Sequence, residues 1–100
     1  MGILLQIDFP YTGPFGDEMT EAFSPLASSI AQEKGLIWKI WTENREMNES
    51  GGIYLFEDTV SAEEYLKMHT ARLESFGVQG IRAKLFEVNI PLSHLTKAVV

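Results

Sequence analysis

The apolar residues of this chain switch between two spacings in a fixed order, and that order admits few folds. Ile3, Leu5, Ile7 and Phe9 alternate with Leu4, Gln6 and Asp8, the two-residue period of a strand over 3–9. After the proline- and glycine-bearing residues 10–14, Phe15, Met19, Phe23, Leu26, Ala27 and Ile30 recur every three or four positions. They predict a helix with Asp17 as its cap and a stop at Gly35; Pro25 either kinks that helix or divides it by opening a second segment. Residues 36–44 read as a second strand, since β-branched and aromatic residues dominate them. The polar residues 45–50 and Gly51-Gly52 then turn the chain into a third strand around Ile53-Tyr-Leu-Phe-Glu57. Ser61 and Glu64 have the spacing of a capping box, followed by a helix with Ala62, Tyr65, Leu66, His69 and Leu73 on one face. Gly77 ends that helix. Residues 80–89 form a fourth strand, and residues 91–95 a short terminal helix.

The order β-α-β-β-α-β over a single domain, residues 1–100, is that of a ferredoxin-like α+β fold with a four-stranded antiparallel sheet. A short internal echo agrees with it: Gly2-Ile-Leu-Leu resembles Gly52-Ile-Tyr-Leu, and Gly35-Leu-Ile-Trp-Lys resembles Gly80-Ile-Arg-Ala-Lys. Right-handed crossovers place both helices on one face of the sheet and leave the other bare. Ile3, Leu5, Ile7, Ile81, Ala83 and Leu85 are assigned to the covered face. Leu4, Gln6, Asp8, Lys39, Trp41, Arg82, Lys84, Phe86 and Val88 are assigned to the bare one. Trp38 and Trp41, three apart on a strand, point to opposite faces. Trp38 is thus expected under the helices, and Trp41, with Phe86 and Val88, in a sheet-to-sheet homodimer interface of about 800 Å² per partner. Covering by the loop or by the C-terminal tail is the plainer alternative for Trp41. Asp8 is expected to pair with Arg82 or Lys84 across neighbouring strands.

Composition removes several functions. No cysteine is present, which excludes disulfides, thiolate metal sites and cysteine nucleophiles and fits a cytoplasmic protein. Acidic residues interrupt every apolar run, and the opening MGILLQIDF has no basic segment, so neither a membrane span nor a signal peptide is expected. A net charge of −6 with scattered basic residues argues against nucleic acid. The two histidines, His69 and His94, lie in separate elements, and no glycine-rich nucleotide motif occurs, so no metal and no cofactor is expected.

His69 stands out because it falls on the apolar stripe of the second helix. An imidazole pointing at the sheet has a general-base or proton-relay role open to it, or is a core histidine satisfied by a carbonyl or a tyrosine. Trp38 and Tyr54, with Tyr65, are candidates to line an aromatic pocket for a flat substrate, or are ordinary core. Arg72, beside the stripe, is a candidate anion-binding group or part of a solvated helix face. Glu43 and Gln6 are weaker polar candidates.

The blocks GPFGDEM, GLIWKIWTE and GGIYLFEDTVSAEEYLKMHTARL, in that order and closed by FEVNIPLS, resemble the YdhR-like monooxygenases over nearly the whole chain. The resemblance implies a dimeric α+β barrel. It also implies relatives among cofactor-independent monooxygenases of polyketide-type aromatics, quinol oxygenases and haem-degrading enzymes. The expected function is therefore a cofactor-independent monooxygenase acting on an aromatic, phenolic or quinol-like small molecule. Two alternatives stay open: haem binding or degradation with His69 as axial ligand, and a non-catalytic small-molecule-binding dimer. The haem-degrading relatives carry an Asn on the first strand and a Trp on the third, where this chain has Asp8 and Tyr54 or Phe56.

Overall fold

The computed structural model describes residues 2–100. Its elements run β1 (Ile3–Pro10), α1 (Gly16–Ile30), β2 (Leu36–Asn44), β3 (Glu49–Phe56), α2 (Thr59–Ser75), β4 (Arg82–Glu87) and α3 (Ile90–Leu95). The four strands form one sheet in the order β2-β3-β1-β4, every neighbouring pair antiparallel. This is the expected ferredoxin-like arrangement. Among the described residues no helix is long and apolar enough to cross a membrane.

The core lies between the sheet and the helices. Ile3, Leu5, Ile7 and Phe9 of β1 meet Tyr54 and Phe56 of β3, Ile30 of α1, and Ala62, Tyr65 and Leu73 of α2. The alternating burial of β1 follows from its sequence: one face is apolar at every second residue. Burying a side chain such as Leu5 or Phe56 stabilises the fold by about 1.5–3 kcal/mol.

The two tryptophans exchange the faces expected of them. Leu36 pairs with Phe56 on the helix side, but the next pair is Trp38 with Leu55, so Ile37 is an extra, bulged residue. One inserted residue moves every later side chain to the opposite face. Lys39 and Trp41 therefore lie opposite Tyr54 and Gly52, on the helix side. Trp38 lies on the other face, where its indole Nε1 donates to the Val99 carbonyl at 2.7 Å. The C-terminal tail covers Trp38, not Trp41.

Three further expectations are corrected. α2 begins at Thr59 and is capped by Asp58, whose carboxylate accepts from the Ser61 amide at 2.8 Å. Ser61 is instead buried in the first turn against Gly35, where a Cβ would come within 2.5 Å of its hydroxyl. α1 has no side-chain cap from Asp17 and continues as one helix through Pro25, with no second segment opening there; its Gly16 amide donates to Glu43 of β2 at 2.9 Å. Ala83 and Leu85 pair with Ile7 and Leu5 as assigned, yet β4 is an exposed edge strand that the helices do not reach.

Asp8 does face Arg82, with Arg82 Nε donating at 2.6 Å and Glu49 taking the other side of the guanidinium. On this face Ile40 is 53% exposed and Phe86 43%.

Candidate active site

α1 and α2 both lie over the sheet without extensive contact between them. A cleft of about 1100 Å³ opens in that gap. Its floor comes from Lys39 and Trp41 of β2 and Tyr54 of β3, one wall from Phe23 of α1, and the other from His69 and Leu73 of α2. The lining is mostly apolar and aromatic, the usual character of a small-molecule site. Among the described residues no aspartate or glutamate lines it, although the chain carries fourteen.

His69 is 3% exposed and sits on the buried face of α2 because it repeats the spacing of Tyr65 and Leu73. Its ring stacks on Tyr65, with centroids 5.0 Å apart and planes 22° apart. Arg72, one turn on, directs Nε and Nη2 at Nδ1 of His69, at 3.2 and 3.0 Å. A guanidinium only donates, so Nδ1 is the acceptor and the neutral ring carries its proton on Nε2. Burial first, then the positive charges of Lys39 and Arg72, push the histidine down to about 3. The imidazole is neutral at physiological pH.

Behind it, the Tyr65 hydroxyl donates to that of Tyr54 at 3.3 Å. Burial raises both phenols, Tyr65 to about 12, so both are un-ionised donors and acceptors. Lys39 completes the floor. Its Nζ lies 3.3 Å from the Trp41 ring centroid and 4.6 Å from that of Tyr54. Burial, reinforced by Arg72, lowers this amine to about 7. Gly52 makes room for it: a Cβ there would come within 2.5 Å of Lys39 Cε.

Of the residues predicted from sequence, His69 reaches the wall of the cleft and Tyr54 its floor. Tyr65 and Arg72 stand behind His69 and orient it. Trp38 is on the opposite face of the sheet. Phe86 and Val88 lie on or beside β4, away from the cleft, and Gln6 faces Lys84. Glu43 holds the first amide of α1. Lys39 and Trp41 are the residues missed as site members; the sequence feature tied to them is Gly52, whose missing side chain leaves room for the Lys39 stem.

Fold and cleft together define a ferredoxin-like α+β protein with an aromatic-lined cleft between its helices and its sheet. The family model described as "Putative mono-oxygenase ydhR" matches residues 4–99, and the chain belongs to that family. No curated protein sequence matches it significantly. Among solved structures, it is similar to SnoaB, a cofactor-independent oxygenase from Streptomyces nogalater. The identity is 15%, over 88% of this chain and 93% of SnoaB, with a TM-score of 0.61. The protein YJCS is similar at 13% identity, over 88% of this chain and 98% of that one, also with a TM-score of 0.61. A structure from Deinococcus radiodurans described as a "putative antibiotic biosynthesis monooxygenase" shares 14% identity over 89% of this chain and 93% of its own, at a TM-score of 0.55.

Proposed function

We propose that the chain is a cofactor-independent monooxygenase that oxidises a phenolic or quinol-like aromatic in the cleft between α1 and α2. The observation that carries this reading is the cleft's lining. Trp41, Tyr54 and Phe23 offer ring faces to a flat substrate, and ionisable Lys39 and His69 stand among them with no carboxylate beside them. Family membership and the likeness to SnoaB support it.

The substrate supplies the electrons. Loss of a hydroxyl proton makes the ring electron-rich, and a ring carbon then adds oxygen. The hydroperoxide so formed on a C–H ring carbon loses water, so that this carbon ends as C=O and the second oxygen atom leaves in water. The protein's work is proton transfer, orientation and exclusion of solvent. In this scheme neutral His69 presents its Nε2–H as a donor to a substrate oxygen, in place of the base role expected from sequence, because Arg72 occupies Nδ1. The same contact disfavours haem. Axial ligation through Nε2 would put the proton on Nδ1, facing two guanidinium donors.

We place the proposed homodimer on the sheet face away from α1 and α2, around Ile40, Phe86 and Val88 beside the tail-covered Trp38, rather than at Trp41.

The test is oxygen uptake by chelator-treated protein across a panel of phenols, naphthols and hydroquinones. Uptake above the spontaneous rate, lost in His69→Ala, supports the proposal. Tight binding of a panel member without oxygen uptake would instead make the protein a non-catalytic binder.

A further inference from the structure

Lysines on a sheet normally extend into solvent. Lys39 does not: it is held in the cleft floor, its stem in the space left by Gly52 and its amine over the Trp41 and Tyr54 rings. Among the described residues the ion pairs are those of Arg82 with Asp8 and Glu49, so no carboxylate pairs with Lys39. The titratable groups of the cleft beside it are Tyr11 after β1, which burial keeps protonated and whose hydroxyl donates to the Pro14 carbonyl, Tyr54 of β3, and His69 and Arg72 of α2, and the α1 wall contributes only apolar side chains such as Met19 and Phe23. Within this set His69 has its acceptor nitrogen occupied, and both Tyr54 and Tyr65 hold their protons. The hydroxyls and amides of Thr12, Asn48, Ser50 and Gln79 are too weakly basic to take a proton, so among the described lining residues the Lys39 amine is the basic group with a free lone pair.

We infer that Lys39 is the proton acceptor of the cleft: its Nζ takes the hydroxyl proton of a bound aromatic alcohol and, as ammonium, holds the resulting aryloxide against the Trp41 ring. The O–H bond breaks, an N–H bond forms, and no other reactant is needed. The inference rests on the functional reading above and assigns its first step. Lysine is suited to this step because burial in an apolar site, with a second cation nearby, favours the neutral amine. The proton it gains then supplies the countercharge that the cleft otherwise lacks.

The probe is 2-naphthol, bound without oxygen at about pH 8, where a free aromatic alcohol of this kind keeps its proton. Wild type is expected to show the naphtholate absorption band on binding with no net proton release, the bound probe ionising about one to three pH units below the free one. Lys39→Met, which keeps the apolar stem, is expected to bind the probe as naphthol only. Lys39→Arg keeps a fixed cation, so it is expected to show the band while releasing one proton to the medium. Circular dichroism and binding of naphthalene, which has no hydroxyl, verify that the variants are folded. The inference is overturned if wild type does not bind the probe or binds it as naphthol, if Lys39→Met gives the wild-type band, or if Lys39→Arg releases no proton. Because oxygen is absent, absence of turnover on the hydroquinone panel would defeat the oxygenase reading and leave this result standing. Unaltered oxygen uptake by Lys39→Met would do the reverse; a fall of about 100-fold is expected.

Discussion

Arg72 directs two N–H groups at Nδ1 of His69, and that contact sets the chemistry the imidazole can offer. Removing it has a defined consequence. In Arg72→Met the second of two nearby cations is lost while burial, the larger cause, remains. The histidine pKa is expected to rise from about 3 only part of the way to its ordinary value. Nitrogen chemical shifts are expected to show a single Nε2–H tautomer in wild type and a mixture in the variant. Unchanged shifts would remove Arg72 as the orienting group.

The depressed histidine also fixes a pH dependence of stability. The unfolded chain protonates His69 near 6.5, the folded one near 3. Between those values the unfolded state binds more protons, so stability falls as pH drops through this window. Urea midpoints of wild type are expected to decline from pH 6.5 downward more steeply than those of His69→Phe. Lys39 acts in the same sense at higher pH. Its folded value of about 7 against 10.5 unfolded makes stability rise with pH across that interval, a slope absent in Lys39→Met.

Gly52 is expected to tolerate nothing larger. The Cβ of Gly52→Ala meets Lys39 Cε at 2.5 Å and Tyr54 Cε1 at 3.2 Å. The lysine stem must move, at a cost of about 1–3 kcal/mol. Thermal unfolding reads the loss of stability, and faster reductive methylation of Lys39 reads its displacement from the floor.

The faces of the sheet separate two substitutions. Trp41 stacks on Phe23 across the cleft, with ring centroids 6.3 Å apart. Trp41→Glu is therefore expected to abolish aromatic binding without changing the sedimentation of the proposed dimer. Phe86→Glu, on the bare face, is expected to give monomer. The opposite pairing of results would contradict the face assignment.

The element order, the buried stripe of α2 through Tyr65, His69 and Leu73, and the pairing of Asp8 with a basic residue of β4, Arg82 or Lys84, were all legible in the sequence, because each depends on local periodicity or on the adjacency of strands. The tryptophan faces were not. Alternation carries a side chain's face along a strand only while no residue is inserted, and Ile37 is inserted between Leu36 and Trp38. That one residue moved Lys39 and Trp41 from the expected interface into the cleft. The exposure of Leu85 was hidden for another reason: an apolar alternation shows which way β4 faces, but not whether a helix reaches that far across the sheet. Asp58 outcompeted Ser61 as the cap of α2 since Ser61 is drawn into the space above Gly35.

The most direct test of the oxygenase account follows the oxygen itself. Chelator-treated protein is supplied with isotopically labelled oxygen gas and the hydroquinone or naphthol of the panel that it turns over fastest. The account predicts that the product gains a single labelled oxygen atom, that the other appears in water, and that Lys39→Met and His69→Ala each suppress the labelling. A product formed at the spontaneous rate, or one whose added oxygen comes from water, would contradict it.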